Sequence, residues 1–225
     1  MQKLKLSKET VQVLKNFNQI NPMIYFKKGN EIATISPTKT IVANYVCSES
    51  FKSDFGIYRL DKLLSVLSFF TDPEIIIGDK FLTVKDDGRA AKIAFGEPAV
   101  LEYPKKLPTL TTVDAEFVVT LGELNDIIKA SSVMELPFVA FESDSKNICL
   151  KALDLKNPNG DTYTIDLGEQ PQDIGDGFTA IFNITNLKII PANYHVQISA
   201  KGVAQFSSDK MTYWIALEKD SNFGG

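Results

Sequence analysis

The strongest constraint on this chain is an order of elements that occurs twice. An amphipathic helix is followed by short strands bounded by turns, then a second helix and more strands, and the succession repeats after a proline-marked middle. Apolar residues recurring every three to four positions and residues alternating every two cannot come from one kind of element. A chain that switches between them in this order predicts helices packed on strand-rich sheets, twice over.

Four segments carry helical spacing. The first runs from Ser7, a fitting N-cap, to Ile20, with Leu6, Val13, Leu14, Phe17 and Ile20 as its apolar stripe. Lys8, Gln12, Lys15, Asn16 and Gln19 share the opposite face, and Asn21-Pro22 ends the helix. The second is expected from about Arg59 to Phe70, with Leu60, Leu63, Leu64 and Leu67 inward and Lys62, Ser65 and Phe69 outward. The third opens on Thr120-Leu121-Gly122-Glu123, the spacing of a capping box, with Leu124, Ile127 and Ile128 inward and Asn125, Lys129 and Ser132 outward. The fourth is expected from Asn183 to about Ile190, where Pro191 stops it.

Between them lie strand-like stretches: Met23–Lys28 and Glu31–Ser36 around a Gly29-Asn30 turn, then Glu74–Ile77, Lys80–Lys85 and Ala91–Phe95. The second half holds Phe138–Glu142, Ile148–Leu153, His195–Ser199, Val203–Ser207 and Met211–Glu218. Pro98, Pro104, Lys105-Lys106 and Pro108 mark an extended connector at about residues 98–112. The expected domains are therefore 1–108, which includes the start of the connector, and 113–225, each of the α+β class.

Several functions are excluded by what the chain does not carry. No apolar run reaches the roughly 18 residues a membrane span needs, and the opening Met1-Gln2-Lys3-Leu4-Lys5-Leu6 lacks a signal peptide's apolar core. The expectation is a protein that is neither secreted nor membrane-bound. Cys47 and Cys149 are too few for a disulfide scaffold or a four-ligand zinc site, and His195 is the one histidine. There is no phosphate-binding glycine loop and no Gly-x-Ser-x-Gly elbow. Asp86-Asp87 and Asp173/Asp176 sit beside glycines and read as turns, and 168–177 reads as a polar loop. No catalytic residue, metal site or cofactor is assigned, and a carboxylate-based hydrolase is the weakest of the available readings.

The net charge is −4, but it is unevenly distributed. Residues 1–20, 58–70, 120–134 and 183–190 together carry +4, which leaves −8 for the rest of the chain. An acidic protein with one basic surface can hold a polyanion by its backbone without reading sequence.

Particular residues then resemble a family. Lys5-Leu6-Ser7-Lys8, Leu14-Lys15-Asn16-Phe17 and Ile20-Asn21 are similar to the opening helix of the sliding clamps (DNA polymerase processivity factors) of T-even-type bacteriophages. Ile57-Tyr58-x-Leu60 with Leu64 and Val66-Leu67-Ser68 resembles their second helix. Asn183-x-x-Asn186-x-Lys188, Pro191-x-Asn193-Tyr194, Ala200-Lys201-Gly202 and Ala216-Leu217-Glu218-x-Asp220-Ser221 match further on. The resemblance weakens from about Ile75 to Asp114 and around Asn157–Gly177.

It implies two similar clamp domains per subunit, with helices on the inner face of a closed homotrimeric ring around double-stranded DNA and antiparallel sheets outside. Such a ring is non-catalytic. It tethers the replicative DNA polymerase and is opened by an ATP-dependent clamp loader, in the cytoplasm of the infected bacterial host. By resemblance, Lys5, Lys8, Lys15, Lys129 and Lys188 line the hole. Gln12 and Lys62 join them from the helical-face argument alone. Ser132 departs from the pattern, where a second basic residue is expected. An apolar pocket for partner peptides is expected near Leu107, Trp214 and Leu217. The competing reading is a β-rich phage structural or assembly protein, which accounts for the strands but not for the basic helix faces.

Overall fold

The computed structural model describes residues 1–144, 147–169 and 177–224. The chain's contacts divide it into two compact units, Met1–Leu107 and Pro108–Gly225. No helix or strand lies between Ala94 and Ala115.

The first unit runs β1 (Gln2–Leu4), α1 (Lys8–Ile20), β2 (Ile24–Phe26), β3 (Gly29–Ile35), β4 (Ile41–Phe51), β5 (Phe55–Ile57), α2 (Leu60–Leu67), β6 (Glu74–Ile77), β7 (Phe81–Asp86) and β8 (Arg89–Ala94). Its strands pair antiparallel in the orders β1-β6-β7-β8 and β5-β2-β3-β4. α1 packs against α2 and onto β3 and β4. Val13, Leu14, Phe17 and Ile20 are buried, and the rings of Phe26, Phe51, Phe55 and Phe95 extend the core with centroids 4.6–5.8 Å apart. Removing this much apolar surface from water is the main force holding helix to sheet.

The second unit runs β9 (Ala115–Val119), α3 (Leu121–Val133), β10 (Phe138–Ser143), β11 (Asn147–Leu153), β12 (Tyr163–Glu169), β13 (Phe178–Asn183), a 3-10 turn (Ile184–Asn186), β14 (Tyr194–Ser199), β15 (Val203–Ser207), β16 (Met211–Ala216) and β17 (Asn222–Phe223). Its strand orders are β12-β11-β10-β13-β17 and β16-β15-β14-β9, again antiparallel. α3 packs on β10, β11 and β12, and Phe117, Phe141, Phe182, Phe206 and Tyr194 fill the core.

Several expectations are corrected. The helix expected from Asn183 to Ile190 is a single 3-10 turn, Ile184–Asn186. The Asn183 side chain accepts from both the amide and the hydroxyl of Thr185, a local bond that competes with helix formation, and Pro191 prevents recovery. Lys188 therefore sits on irregular backbone between buried Leu187 and Ile189, not on a helix. α2 stops at Leu67 rather than Phe70, because Phe69 and Phe70 donate to Val66 and Leu67 in tighter 3-10 turns. β4, the longest strand, was not expected at all. Ile41, Val42, Ala43 and Tyr45 are all buried, so its first half lacks the alternation that marks a strand. β1, β5, β9, β12, β13 and β17 also fall outside the expected stretches. The β2–β3 hairpin forms, but Phe26 pairs with Ile32, so its loop is wider than Gly29-Asn30. Asp87-Gly88 makes a two-residue turn with both φ positive, closing β7 onto β8. Most of the polar loop expected at 168–177, with Asp173 and Asp176, lies outside the described residues.

Candidate nucleic-acid interface and docking residues

The basic face begins at the start of α1. The Ser7 hydroxyl accepts from the Thr10 amide at 3.1 Å, so Ser7 is the N-cap the sequence suggests. The Ser7 amide and the Thr10 hydroxyl both donate to the carboxylate of Glu49, on β4. Burial pushes the Glu49 carboxyl up, but these donors outweigh it and hold the group below the usual glutamate range. The Ser7 and Thr10 amides are thus already satisfied by side chains.

Lys8, Gln12 and Lys15 are all exposed on the face opposite Val13, Leu14 and Phe17. Lys62 is exposed on α2, which packs against α1. Among the described residues, Lys8, Lys15 and Lys62 form no ion pair. Lys5 differs, because its ammonium is held by Asp72, and that hydrogen bond raises its pKa. Nearby, Glu74 bridges Lys3 at 3.6 Å and Lys85 at 3.2 Å.

The second unit presents fewer cations. α3 opens with a complete capping box: the Thr120 amide donates to Glu123 at 2.7 Å and the Glu123 amide to the Thr120 hydroxyl at 3.3 Å. Lys129 is exposed on its outer face beside Asp126 and Ser132. The structure brings Lys5, Lys8, Gln12, Lys15 and Lys62 into the first unit and leaves Lys129 and Lys188 in the second.

The expected pocket residues behave differently from one another. Leu107 is half-buried and lines a cavity of about 300 Å³ with Tyr25, Ala33, Asn44, Tyr103 and Pro104, all in the first unit. Trp214 is 8% exposed, and its indole N–H donates to Gln205 at 2.8 Å. It ends a hydrogen-bonded row of Glu116, Gln197 and Gln205 across four strands, which His195 joins through Glu116 at 2.7 Å. The Gln197 amide and then His195 hold Glu116 below the usual carboxylate range. Leu217 is half-buried, and its amide donates to the Gly202 carbonyl. Trp214 is therefore tied into its own sheet. The sequence had no signal for Asp72 beside Lys5, for Glu49 at the α1 cap, or for Tyr25 and Asn44 in the cavity, since each meets its partner through tertiary pairing.

Among the described residues, no group of three or more His, Cys, Asp or Glu is placed to hold a metal ion, and no helix is long and apolar enough to cross a membrane. Burial pushes the Cys47 thiol up to about 11, which fits a packed thiol rather than a reactive one.

This two-unit antiparallel fold is that of the sliding clamps. It superposes on A. fulgidus PCNA with a TM-score of 0.75, at 17% identity, covering 99% of this chain and 100% of that one. It superposes on the Helicobacter pylori beta clamp with a TM-score of 0.72, at 14% identity, covering 97% of this chain and 67% of that one. The family described as DNA polymerase processivity factor matches residues 7–87, and the gp45 sliding clamp C-terminal family matches residues 116–219. The sliding clamp of Vibrio phage KVP40 is 31% identical over 96% of this chain and 99% of its own length. That of Enterobacteria phage T4 is 27% identical over 97% and 98%. The chain belongs to the phage sliding-clamp family of DNA polymerase processivity factors, and it is not an enzyme.

Proposed function

We propose that the protein closes as a homotrimer around duplex DNA and tethers the replicative polymerase without reading sequence, in the cytoplasm of the infected host. An ATP-dependent loader opens the ring. The observation that carries this reading is the set of exposed lysines on α1 and α2 that no carboxylate neutralises among the described residues, on a chain of net charge −4. Loose lysine–phosphate contacts confine DNA while letting it slide, and the acidic remainder discourages DNA from other faces. Residues 1–108 and 113–225 serve as the two domains, with their helices turned to the hole.

Sheet edges support the closure. β8 ends one sheet of the first unit and carries Arg89 and Lys92 with no acid. β12 ends a sheet of the second unit and carries Asp166 with no base. Edges of opposite sign favour a head-to-tail contact between copies, and such contacts form a ring when the rotation closes. Partner peptides dock at Leu107, Trp214 and Leu217.

Light scattering on a sizing column, across a dilution series, tests the ring. The expected mass is near three times 25.0 kDa, falling on dilution. A strict monomer at high concentration overturns it. DNA offers a second test: a loaded ring stays on circular DNA and slides off linear ends.

A further inference from the structure

The edge of β13 is closed by the chain's own tail. On one side β13 pairs with β10 along its length. On the other it meets β17, through Phe178 with Phe223 and Thr179 with Asn222. Further along, the Ile181 amide donates to the Ser221 hydroxyl at 2.9 Å, and the Ile181 carbonyl accepts from the Glu218 amide at 2.8 Å. The Ser221 amide donates to the Glu218 carbonyl, so Lys219 and Asp220 form an exposed turn. A serine hydroxyl thus stands where a strand would offer a carbonyl, and buried Ile181 keeps both of its main-chain polar groups paired.

One side chain anchors this segment. The Phe223 ring stacks on Phe178 at 5.8 Å and 10°, and Phe178 stacks on Phe117 at 6.5 Å and 18°. Phe223 is half-buried, while Asn222, between the two anchors, is exposed. The hold is short: two residues of ladder, one hydroxyl and one ring. The strand it covers is longer, with Phe178, Ala180, Ile181 and Phe182 all buried. Short terminal segments with few contacts open at low free-energy cost. An opened edge is a template for another extended chain.

We propose that the β13 edge is a strand-acceptor site for an extended Ser-x-Phe segment. The chain's own Ser221-Asn222-Phe223 occupies it in cis, and the same segment of a second copy occupies it when that latch is weakened. A hydroxyl meets the Ile181 amide, main-chain groups pair with Thr179, and an aromatic ring two positions beyond the hydroxyl covers Phe178. A tethered segment sits at an effective concentration on the order of millimolar, so the native chain shuts out a free competitor. The site lies on the opposite edge of the sheet from β12 and does not depend on the ring.

Two measurements on the full-length chain test it. Ile181 turns its amide and carbonyl toward the tail, so Thr179, two residues away on the same strand, does the same. Asn222→Pro therefore removes an N–H from the pairing at an exposed position. Fluorescence anisotropy uses labelled Lys-Asp-Ser-Asn-Phe-Gly, the sequence of 219–224. This peptide is expected to bind Asn222→Pro about tenfold or more tightly than the native chain. The same peptide with Ala in place of Phe, and a scrambled one, are each expected to bind that variant about tenfold more weakly. Absence of binding to Asn222→Pro, equal binding to the native chain, or equal binding of the scrambled peptide overturns the proposal. Hydrogen exchange supplies the second readout. Phe223→Ala is expected to speed exchange of the Thr179 and Ile181 amides about tenfold and to leave Val196 on β14 unchanged. It keeps the proposal testable if Asn222→Pro fails to fold by circular dichroism. Unchanged exchange at Ile181, or equally faster exchange at Val196, overturns the latch.

Discussion

The first helices of the two units solve one problem in two ways. Each must satisfy the amides at its start. α3 closes a capping box within four residues, through the reciprocal bonds of Thr120 and Glu123, and its Leu121 amide donates to Asn193. α1 has Thr10 where α3 has Glu123, and a threonine at that place supplies no carboxylate. Its carboxylate comes instead from Glu49, on a strand packed against the helix. The carboxylate at the start of α3 is thus a local property of its sequence, whereas the one at the start of α1 is a property of the folded unit. The charges diverge too: α1 presents Lys8 and Lys15, while α3 has Lys129 beside Asp126.

The largest expected effects ask whether both helices depend equally on their sheets. Phe17→Ala on α1, at a fully buried position, should cost about 3–5 kcal/mol, and Ile127→Ala on α3 about 2–5. Urea unfolding measures both, and a cost under about 1 kcal/mol at either would break the parallel. Next come the caps. Glu49→Ala leaves the Ser7 amide and the Thr10 hydroxyl without their acceptor, and should cost about 1–3 kcal/mol. Glu123→Ala should cost about 1 kcal/mol, because the Thr120 hydroxyl still caps the helix. Equal losses would erase the distinction between local and tertiary capping.

The charge difference has its own readout. Replacing Lys8 and Lys15 together by Gln should lower the salt slope of DNA binding by about 2, and Lys129→Gln by about 1 or less. Acid gives a smaller effect. The Glu49 carboxyl sits below its unfolded value, so its stabilisation is complete above about pH 4.3 and is lost as the pH falls through the folded pKa. The stability gap between the native chain and Glu49→Gln should therefore close on acidification. The smallest effect is expected from Asp72→Asn. It frees exposed Lys5 with no measurable change in unfolding midpoint, and DNA binding should tighten slightly.

The same contrast explains what could be read from the sequence. Ser7 and the Thr120–Glu123 box announce their helices because their bonds lie within one turn. The period-3.6 stripe picks out Leu14, Phe17 and Ile127, all of them buried. The first half of β4 is hidden because burial on both faces removes alternation there. The turn at Ile184 is hidden because Asn183 makes a side-chain bond that helical spacing does not register. Among the candidate interface residues, the exposure of Lys8, Gln12, Lys15 and Lys62 follows from helical periodicity. The pairing of Lys5 with Asp72 does not, because it joins positions far apart in sequence. The row of Tyr25, Ala33 and Asn44 likewise exists only once two strand registers are set.

The pairing of β1 with β6 sets a timetable. Gln2–Leu4 cannot find Glu74–Ile77 until that stretch has left the ribosome, and at about 5–20 residues per second the wait is on the order of seconds. Through that interval β1 has no strand to pair with, whereas the apolar side of α1, with Val13, Leu14, Phe17 and Ile20, is covered once β3, β4 and α2 are made. The first strand to be made is therefore held open until Ile77 is out, and an unpaired edge travels with the growing chain.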